Sequence, residues 1–487
     1  MTALRQKAVS GIKWSAISQA GRQGTQLLTM IILARLLAPS DFGLVEMAMV
    51  VIGFVGIFKD LGTAAAIIQR KELSETLLSS IFWVNVCFGS LAMILLFLFA
   101  PLVGLFYREV RVVVVLQVLS ISFFISGLGI LHQALLERTL SFSSLAKLEA
   151  ISVFVGAILG IGLAFAHAGV WSLVFQSLVT VSVATILLWL SSSWRPQWFF
   201  RWSEVKTISS FSLNLTGFSI FNYFARNVDY LLIGRYLGAQ ELGYYALAYR
   251  ILLFPLQNIS AVIGRVMYPV LSSIQDDNKR FSSAYLKVAA SISLVSFPLM
   301  MGALALAKPV ILVFFGEKWQ PVILLVMILA PVGLMQSIGT TVGAIYQAKG
   351  RTDWMFRWGI GSGTFVVIAF IIGLRWGIVG VAVAYAIASF VLLYPSFSIP
   401  FRLLDLKFFE LLKILRPSFI NSSLMLVVLI VFKTILPSWM SDVVALALSM
   451  SVGVTFYSMA SWLTNQDQLK ELWEASGLNR TKLHGTE

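Results

Sequence analysis

Polar and charged side chains interrupt the long apolar stretches of this chain at intervals that place them on single helical faces. In the first stretch, Ser15, Gln19, Arg22 and Gln26 recur every three or four residues, so they share one face of a helix. A charged group at mid-membrane costs about 2.5–3.5 kcal/mol on insertion scales, and such groups usually face a bundle interior or an aqueous cavity. The pattern therefore predicts a helix that lines a cavity, which is binding and transport chemistry. Interhelical hydrogen bonding is the alternative for the serine and the glutamines.

A second set of intramembrane polar residues lies about two hundred positions further along the chain. It consists of Asn222, Arg226, Asp229, Arg250, Gln257 and Arg265. Because Asp229 lies one turn from Arg226, a structural ion pair between them is an alternative to a proton site. We assign Asp229 and Arg265 to coupling or gating. Asp60, beside Lys59 near the end of another apolar stretch, fits a helix-end or gating pair.

The composition shows what kind of element must position these residues. Of the 487 residues, 58% are hydrophobic and 12% are charged, whereas about 25% charged is usual for soluble proteins. Apolar runs close to the membrane-spanning length of about 20 residues recur along the whole chain. We predict an all-α polytopic membrane protein with about fourteen transmembrane helices. The spans are 14–36, 43–66, 79–103, 111–132, 147–167, 170–190, 207–233, 242–268, 285–307, 321–346, 357–374, 378–398, 417–436 and 442–463.

The distribution of basic residues predicts the orientation. With the N-terminus in the cytoplasm, most of the 36 lysines and arginines fall in cytoplasmic loops, as the positive-inside rule requires. Both termini are therefore expected in the cytoplasm, with an uncleaved first helix. The net charge of +14 is explained by contact with anionic membrane lipids rather than with nucleic acid.

A repeated motif indicates an internal duplication. Residues 34–44 read Ala-Arg-Leu-Leu-Ala-Pro-Ser-Asp-Phe-Gly-Leu, and 234–244 read Gly-Arg-Tyr-Leu-Gly-Ala-Gln-Glu-Leu-Gly-Tyr. Arg35 aligns with Arg235 and Gly43 with Gly243, which makes the first and seventh spans equivalent helices. The predicted organisation is an N-lobe of spans 1–6, a C-lobe of spans 7–12, two further spans and a cytoplasmic tail. Their limits are 1–195, 196–402, 403–464 and 465–487.

Other chemistries lack their sequence signatures. No Gly-x-x-x-x-Gly-Lys-Ser/Thr motif occurs, so we expect no ATP hydrolysis by this chain. Cys87 is the single cysteine, and His132, His167 and His484 are too far apart in sequence to predict a metal site. We therefore expect no cofactor, no metal and no enzymatic activity, and alternating access between two lobes as the transport mechanism.

Several separated motifs resemble one family of transporters. The most extensive is Leu-Ala-Arg-Leu-Leu-Ala-Pro-Ser-Asp-Phe-Gly-Leu at 33–44. The others lie at 60–62, 68–71, 225–229, 256–260, 315–319 and 375–380. Together they are similar to the polysaccharide-transport flippases of the colanic-acid-exporter (Wzx) type, in the superfamily of multidrug and toxin extruders and the lipid II flippase. The resemblance covers nearly the whole chain before residue 465.

The resemblance implies a two-lobe, fourteen-helix fold that moves an undecaprenyl-diphosphate-linked oligosaccharide across a bacterial inner membrane, from the cytoplasmic to the periplasmic leaflet. It maps the family's cavity arginines onto Arg22, Arg226 and Arg250, whose guanidinium groups suit a diphosphate. Gln19, Gln26, Asn222 and Gln257 would then contact the sugars. A polysaccharide polymerase and glycosyltransferases are the implied protein partners.

Two alternatives stay open at this point. A cation or drug antiporter of the multidrug-extruder type needs carboxylates in its cavity, whereas these spans contain few acids and several arginines. A membrane-embedded glycosyltransferase, ligase or polymerase needs an acid or base within reach of a sugar. The longest outer loop, 308–320, contains only Glu317 as a possible acid.

Overall fold

The computed structural model describes residues 19, 21–58, 67, 73–202, 213–437, 439–466 and 468. At 213–222, 225 and 254–270 it describes the helical backbone but not the side chains. Every regular element in these ranges is helical, with no strand among them. The chain divides into two compact units, Met1–Gly243 and Tyr244–Glu487.

Among the described residues, seven helices lie in the first unit. They are α1 (21–36), α2 (Pro39–Gly56), α3 (Glu75–Tyr107), α4 (Arg111–Arg138), α5 (Phe142–Phe165), α6 (Val170–Ser191) and α7 (Leu213–Tyr236). The next helix, α8 (Ala239–Ser273), begins in the first unit and continues into the second. The remaining helices are α9 (Asn278–Val310), α10 (Gln320–Gly339), α11 (Val342–Ala348), α12 (Thr352–Gly373), α13 (Gly377–Phe401), α14 (Phe408–Ile435) and α15 (Asp442–Thr464).

The helices confirm the predicted fold class. Ten helical segments of the described residues are long and apolar enough to cross a membrane. One of them, Thr352–Phe401, contains two helices, α12 and α13, joined by a single turn of 3-10 helix. The protein is therefore an all-α, multi-pass membrane protein, while the count of fourteen spans and the lobe limits stay predictions.

Helix starts are set by short polar side chains that accept hydrogen bonds from otherwise unpaired backbone N–H groups. Ser74 Oγ accepts from Leu77 N at 3.1 Å where α3 begins, and Asp277 Oδ1 accepts from Arg280 N at 3.1 Å where α9 begins. Such caps typically stabilise a helix by about 1 kcal/mol. In the repeated motif, Asp41 accepts from Ala38 N at 3.0 Å, which fixes the turn before α2.

Glycines let α3 and α4 pack with their backbones in contact. A Cβ atom at Gly89 of α3 would lie 2.5 Å from the Phe123 carbonyl oxygen, and one at Gly127 of α4 would lie 2.8 Å from that of Asn85. Apolar helix faces gain no hydrophobic energy from each other in lipid, so close packing of small residues holds them together. This pair forms the centre of the first unit, with α2 and α6 packed against it.

Hydrogen bonds join the last two helices to each other and to α9 in the second unit. Tyr457 of α15 is 8% exposed, and its hydroxyl donates to the Leu294 carbonyl of α9 at 2.9 Å. Asn421 of α14 donates to Thr464 Oγ1 at 2.7 Å. The bundle of α9, α14 and α15 is thus joined by polar contacts as well as by packing.

Tyr457→Phe should lower the stability of the folded protein by about 1 kcal/mol, because it leaves the Leu294 carbonyl without this donor. Thermal unfolding of the purified protein in detergent measures the effect. Tyr394→Phe is the matched control, since Tyr394 is 63% exposed and contacts Phe408 through its ring. Equal melting temperatures for Tyr457→Phe and wild type would show that the hydrogen bond does not hold α15 in place.

Candidate functional site

Arg22 of α1 forms an ion pair with an acid that the sequence analysis did not select. Its Nη1 donates to Glu149 Oε2 of α5 at 3.0 Å, and the two side chains are 30% and 50% exposed. The Nε of the same guanidinium is buried without a hydrogen-bond partner in the described part of the chain. Arg22 is therefore charged, half-buried and paired on one edge.

Arg226 and Asp229 lie on α7 in different environments. Arg226 is exposed and forms no ion pair with a carboxylate of the described residues, so the alternative of an ion pair with Asp229 is not observed. Asp229 is 4% exposed and accepts a hydrogen bond from Tyr230 N at 3.0 Å. Neighbouring residues of α7 face α2: Tyr223 donates to the Val50 carbonyl at 2.6 Å.

The other predicted site residues fall into two groups. Gln19 and Gln26 are exposed in the first unit, and Arg250 is exposed in the second. No hydrogen bond or ion pair joins Gln19, Gln26, Arg22 and Arg226 to one another. The remaining predictions lie outside the described residues or side chains, and these are Ser15, Asn222, Gln257, Asp60 and Arg265.

The two copies of the repeated motif pack against each other at equivalent positions. A Cβ atom at Gly43 of α2 would overlap the carbonyl oxygen of Ala239 in α8, and one at Gly243 would overlap that of Pro39. Pro39 and Ala239 are themselves equivalent in the repeat. The crossing of α2 with the start of α8 is therefore symmetric, and it supports the register in which α1 corresponds to α7.

Arg235 makes structural contacts within the first unit. At the end of α7 it donates to the Leu105 carbonyl of α3 at 3.3 Å, and its guanidinium lies 5.6 Å from the centre of the Phe106 ring. These contacts involve the backbone and an aromatic face. The arginine therefore anchors the end of α7 against α3.

A polar cluster that the sequence analysis missed lies in the second unit. The Tyr249 hydroxyl of α8 donates to that of Tyr385 in α13 at 3.1 Å, and Gln336 Nε2 of α10 donates to the same oxygen. The three residues line a small cavity of about 10 Å³, room for about one water molecule, whose other walls include Leu252 and Leu329. The cavity is too small for a sugar ring, but its aromatic rings, hydroxyls and amide are groups that contact neutral hydroxyl-bearing ligands.

The Trp-rich stretch after α6 is bound to the start of α3. Trp83 Nε1 donates to the Gln197 carbonyl at 2.9 Å, and Trp194 Nε1 donates to Glu75 Oε2 at 2.8 Å. Tryptophans at this density are typical of an interfacial belt. The structure shows that Trp194 of this stretch and Trp83 of α3 also tie the connection after α6 to α3.

His132 lies among aromatic rings in the first unit. His132 is fully buried, with its ring centre 4.6 Å from that of Trp189. Among the described residues, no three His, Cys, Asp or Glu side chains are grouped so that they could hold a metal ion.

Comparisons with known proteins decide the family. A profile described as "Polysaccharide biosynthesis protein" matches residues 32–324. The chain belongs to this polysaccharide biosynthesis family. It is 30% identical to the lipopolysaccharide biosynthesis protein WzxC of Escherichia coli K12 over 391 residues, which are 80% of each chain. It is 29% identical to the teichuronic acid biosynthesis protein TuaB of Bacillus subtilis, over 80% of this chain and 82% of TuaB.

Within the polysaccharide biosynthesis family, this member also has well-matched structural neighbours. The lipid II flippase MurJ in an inward closed conformation superposes with a TM-score of 0.76 at 16% identity, over 93% of this chain and 99% of MurJ. An inward-facing multidrug resistance MATE transporter superposes with a TM-score of 0.63 at 16% identity, over 82% of this chain and 99% of the transporter chain. At these identities the likeness shows the fold, and together with the relatives it confirms the family resemblance drawn from the sequence.

Proposed function

We propose that this protein is a flippase for a lipid-linked oligosaccharide in polysaccharide biosynthesis. The observation that carries the proposal is the match over 80% of the chain to relatives named for making lipopolysaccharide and teichuronic acid. A further relative, 31% identical over 63% of this chain, is named the succinoglycan biosynthesis transport protein ExoT of Rhizobium meliloti. The fold shared with a lipid II flippase supports movement of a lipid-linked substrate.

The substrate is an undecaprenyl-diphosphate-linked repeat unit that moves from the cytoplasmic to the periplasmic leaflet of a bacterial inner membrane, with both termini of the chain in the cytoplasm. Its diphosphate carries the charge that must cross a low-dielectric interior. Arg22, Arg226 and Arg250 supply guanidinium groups, which keep their proton and bind phosphate oxygens in pairs. A polymerase and glycosyltransferases remain the proposed partners.

The protein itself is proposed to be a transporter and not an enzyme. The drug-antiporter alternative is less well supported, because a cationic cargo needs carboxylates in the cavity. Among the described residues Asp229 is the one buried acid, and the exposed Arg226 lies on the same helix. A cationic cargo would therefore meet few carboxylates here.

Deletion of the gene tests the function. A flippase mutant should accumulate its lipid-linked saccharide in the inner membrane and lose the surface polysaccharide. Mass spectrometry of extracted lipids measures the precursor, and complementation with the wild-type gene is the control. Unchanged precursor and polysaccharide in a strain with no second family member would contradict the proposal.

The Tyr249, Gln336 and Tyr385 cluster is proposed to contact sugars of the glycan. Tyr385→Ala removes both an aromatic face and the shared hydroxyl, so export should fall about fivefold or more, the equivalent of about 1 kcal/mol. The amount of secreted polysaccharide, compared at equal protein level, measures the fall in export, and Tyr394→Ala is the control. Wild-type export by Tyr385→Ala would remove the cluster from the site.

A further inference from the structure

The ion pair of Arg22 with Glu149 involves the arginine that the proposed function assigns to the substrate. Arg22 is assigned to the diphosphate, yet one edge of its guanidinium already binds a carboxylate at 3.0 Å. A carboxylate and a phosphate present the same kind of oxygen acceptor to a guanidinium. The two anions therefore compete for the same donors.

Both side chains lie toward the starts of their predicted spans. Glu149 is two residues into the predicted span 147–167, about 3 Å from its start. Arg22 is eight residues into the predicted first span, about 12 Å from its start. An arginine left unpaired at this depth would carry a desolvation cost, which a nearby carboxylate reduces.

The exposure of the pair indicates that it can open. The Glu149 side chain is 50% exposed and that of Arg22 is 30% exposed, so water can reach the carboxylate if another anion takes its place. The contact is through one nitrogen, Nη1, while Nε is buried without a hydrogen-bond partner among the described residues. A phosphate takes two parallel hydrogen bonds from arginine, so it can displace a carboxylate that accepts only one.

We propose that Glu149 is an exchangeable counterion that occupies Arg22 in the empty transporter and is displaced by the diphosphate of the substrate. This inference rests on the proposed function, and it assigns a positioning role to a residue outside the predicted site. The displaced carboxylate remains near the bound diphosphate and repels it, which weakens binding. When the substrate leaves, Glu149 pairs with Arg22 again, so release does not leave a bare charge in the membrane.

A double-mutant cycle with a diphosphate probe tests this role. The full-length protein is purified in detergent, and its affinity for farnesyl diphosphate is measured for wild type, Glu149→Gln, Arg22→Gln and the double variant. Glu149→Gln should bind about fivefold tighter, because an ion pair of this exposure corresponds to about 1 kcal/mol. Arg22→Gln should bind about tenfold weaker, and adding Glu149→Gln to it should change nothing further.

Two further variants and two further readouts complete the test. Glu149→Asp keeps the charge and should bind near the wild-type affinity, while Glu137→Gln, whose carboxylate accepts from Gln133 at 2.8 Å, is the matched control. In the export assay Glu149→Gln should lower KM and the maximal rate together, since tight binding slows release. Melting temperatures exclude a folding defect as the cause.

The outcomes separate this inference from the proposed function. Equal or weaker binding by Glu149→Gln, with Arg22→Gln still weakened, overturns the counterion role and leaves the flippase proposal standing. Wild-type binding by Arg22→Gln, or no binding by the wild type, overturns both the counterion role and the assignment of Arg22. Loss of glycan export in the deletion strain is unaffected by either result.

Discussion

Replacement of Arg226 by alanine should reduce glycan export about 10- to 100-fold while leaving the amount of protein in the membrane unchanged. The side chain is exposed and no carboxylate of the described residues neutralises it, so its charge is available to a ligand. A hydrogen bond to a charged group corresponds to about 1.5–3 kcal/mol, which gives this range of effect. Secreted polysaccharide, measured against membrane protein level, checks the prediction.

Arg235→Ala is the matched control for this experiment. It removes an arginine from the same helix, but one that binds the Leu105 carbonyl and the Phe106 ring. Its effect should be a small loss of thermal stability with export close to wild type. If Arg226→Ala exports normally and Arg235→Ala does not, the assignment of the two arginines is reversed.

Alanine at Gly43 or Gly243 should destabilise the protein by about 1–3 kcal/mol, the usual cost of overpacking. The added methyl group at either position would overlap a backbone carbonyl, Ala239 or Pro39 respectively. A backbone carbonyl cannot rotate away as a side chain can, so α2 and the start of α8 must separate. Melting temperature in detergent and export in cells should both fall.

Gly56→Ala is the control on the same helix, because nothing lies within 4 Å of its added Cβ. Replacing glycine by alanine in an open helical position usually stabilises by about 1 kcal/mol. Gly43→Ala should therefore lower the melting temperature and Gly56→Ala should raise it.

The Gly43→Ala, Gly243→Ala double variant should lose less stability than the sum of the two single variants, because the first substitution already separates α2 from the start of α8. Additive costs would show that the two glycines do not share one contact.

Much of the fold was predictable because lipid imposes simple constraints. A chain with long apolar runs must form helices in a bilayer, and the repeated motif around Arg35 and Arg235 predicted equivalent helical hairpins. The structure places Gly43 and Gly243 at one symmetric crossing, which the aligned sequences alone did not reveal. Helical periodicity identifies which residues share a face, but not which face of another helix they meet.

The site was less predictable for the same reason. Arg22 and Glu149 are separated by 127 positions in the sequence, and no local pattern relates them. One signal was present, since Glu149 is an acid inside the predicted span 147–167. The Tyr249, Gln336 and Tyr385 cluster carries no charge, so the pattern of intramembrane charged residues does not include it. The ion pair of Arg226 with Asp229, which the sequence left as an alternative to a proton site, is not formed, because one side chain is exposed and the other is buried.

Reconstitution of the purified protein into liposomes tests the central claim most directly. Undecaprenyl-diphosphate-linked saccharide, extracted from the deletion strain, is incorporated with the protein, and its exposure to an external glycosidase is followed over time. The proposed function predicts that the protected inner pool becomes accessible with wild-type protein, and slowly or not at all with Arg226→Ala. Accessibility that rises no faster than in protein-free liposomes would contradict the proposal that this chain flips lipid-linked oligosaccharides.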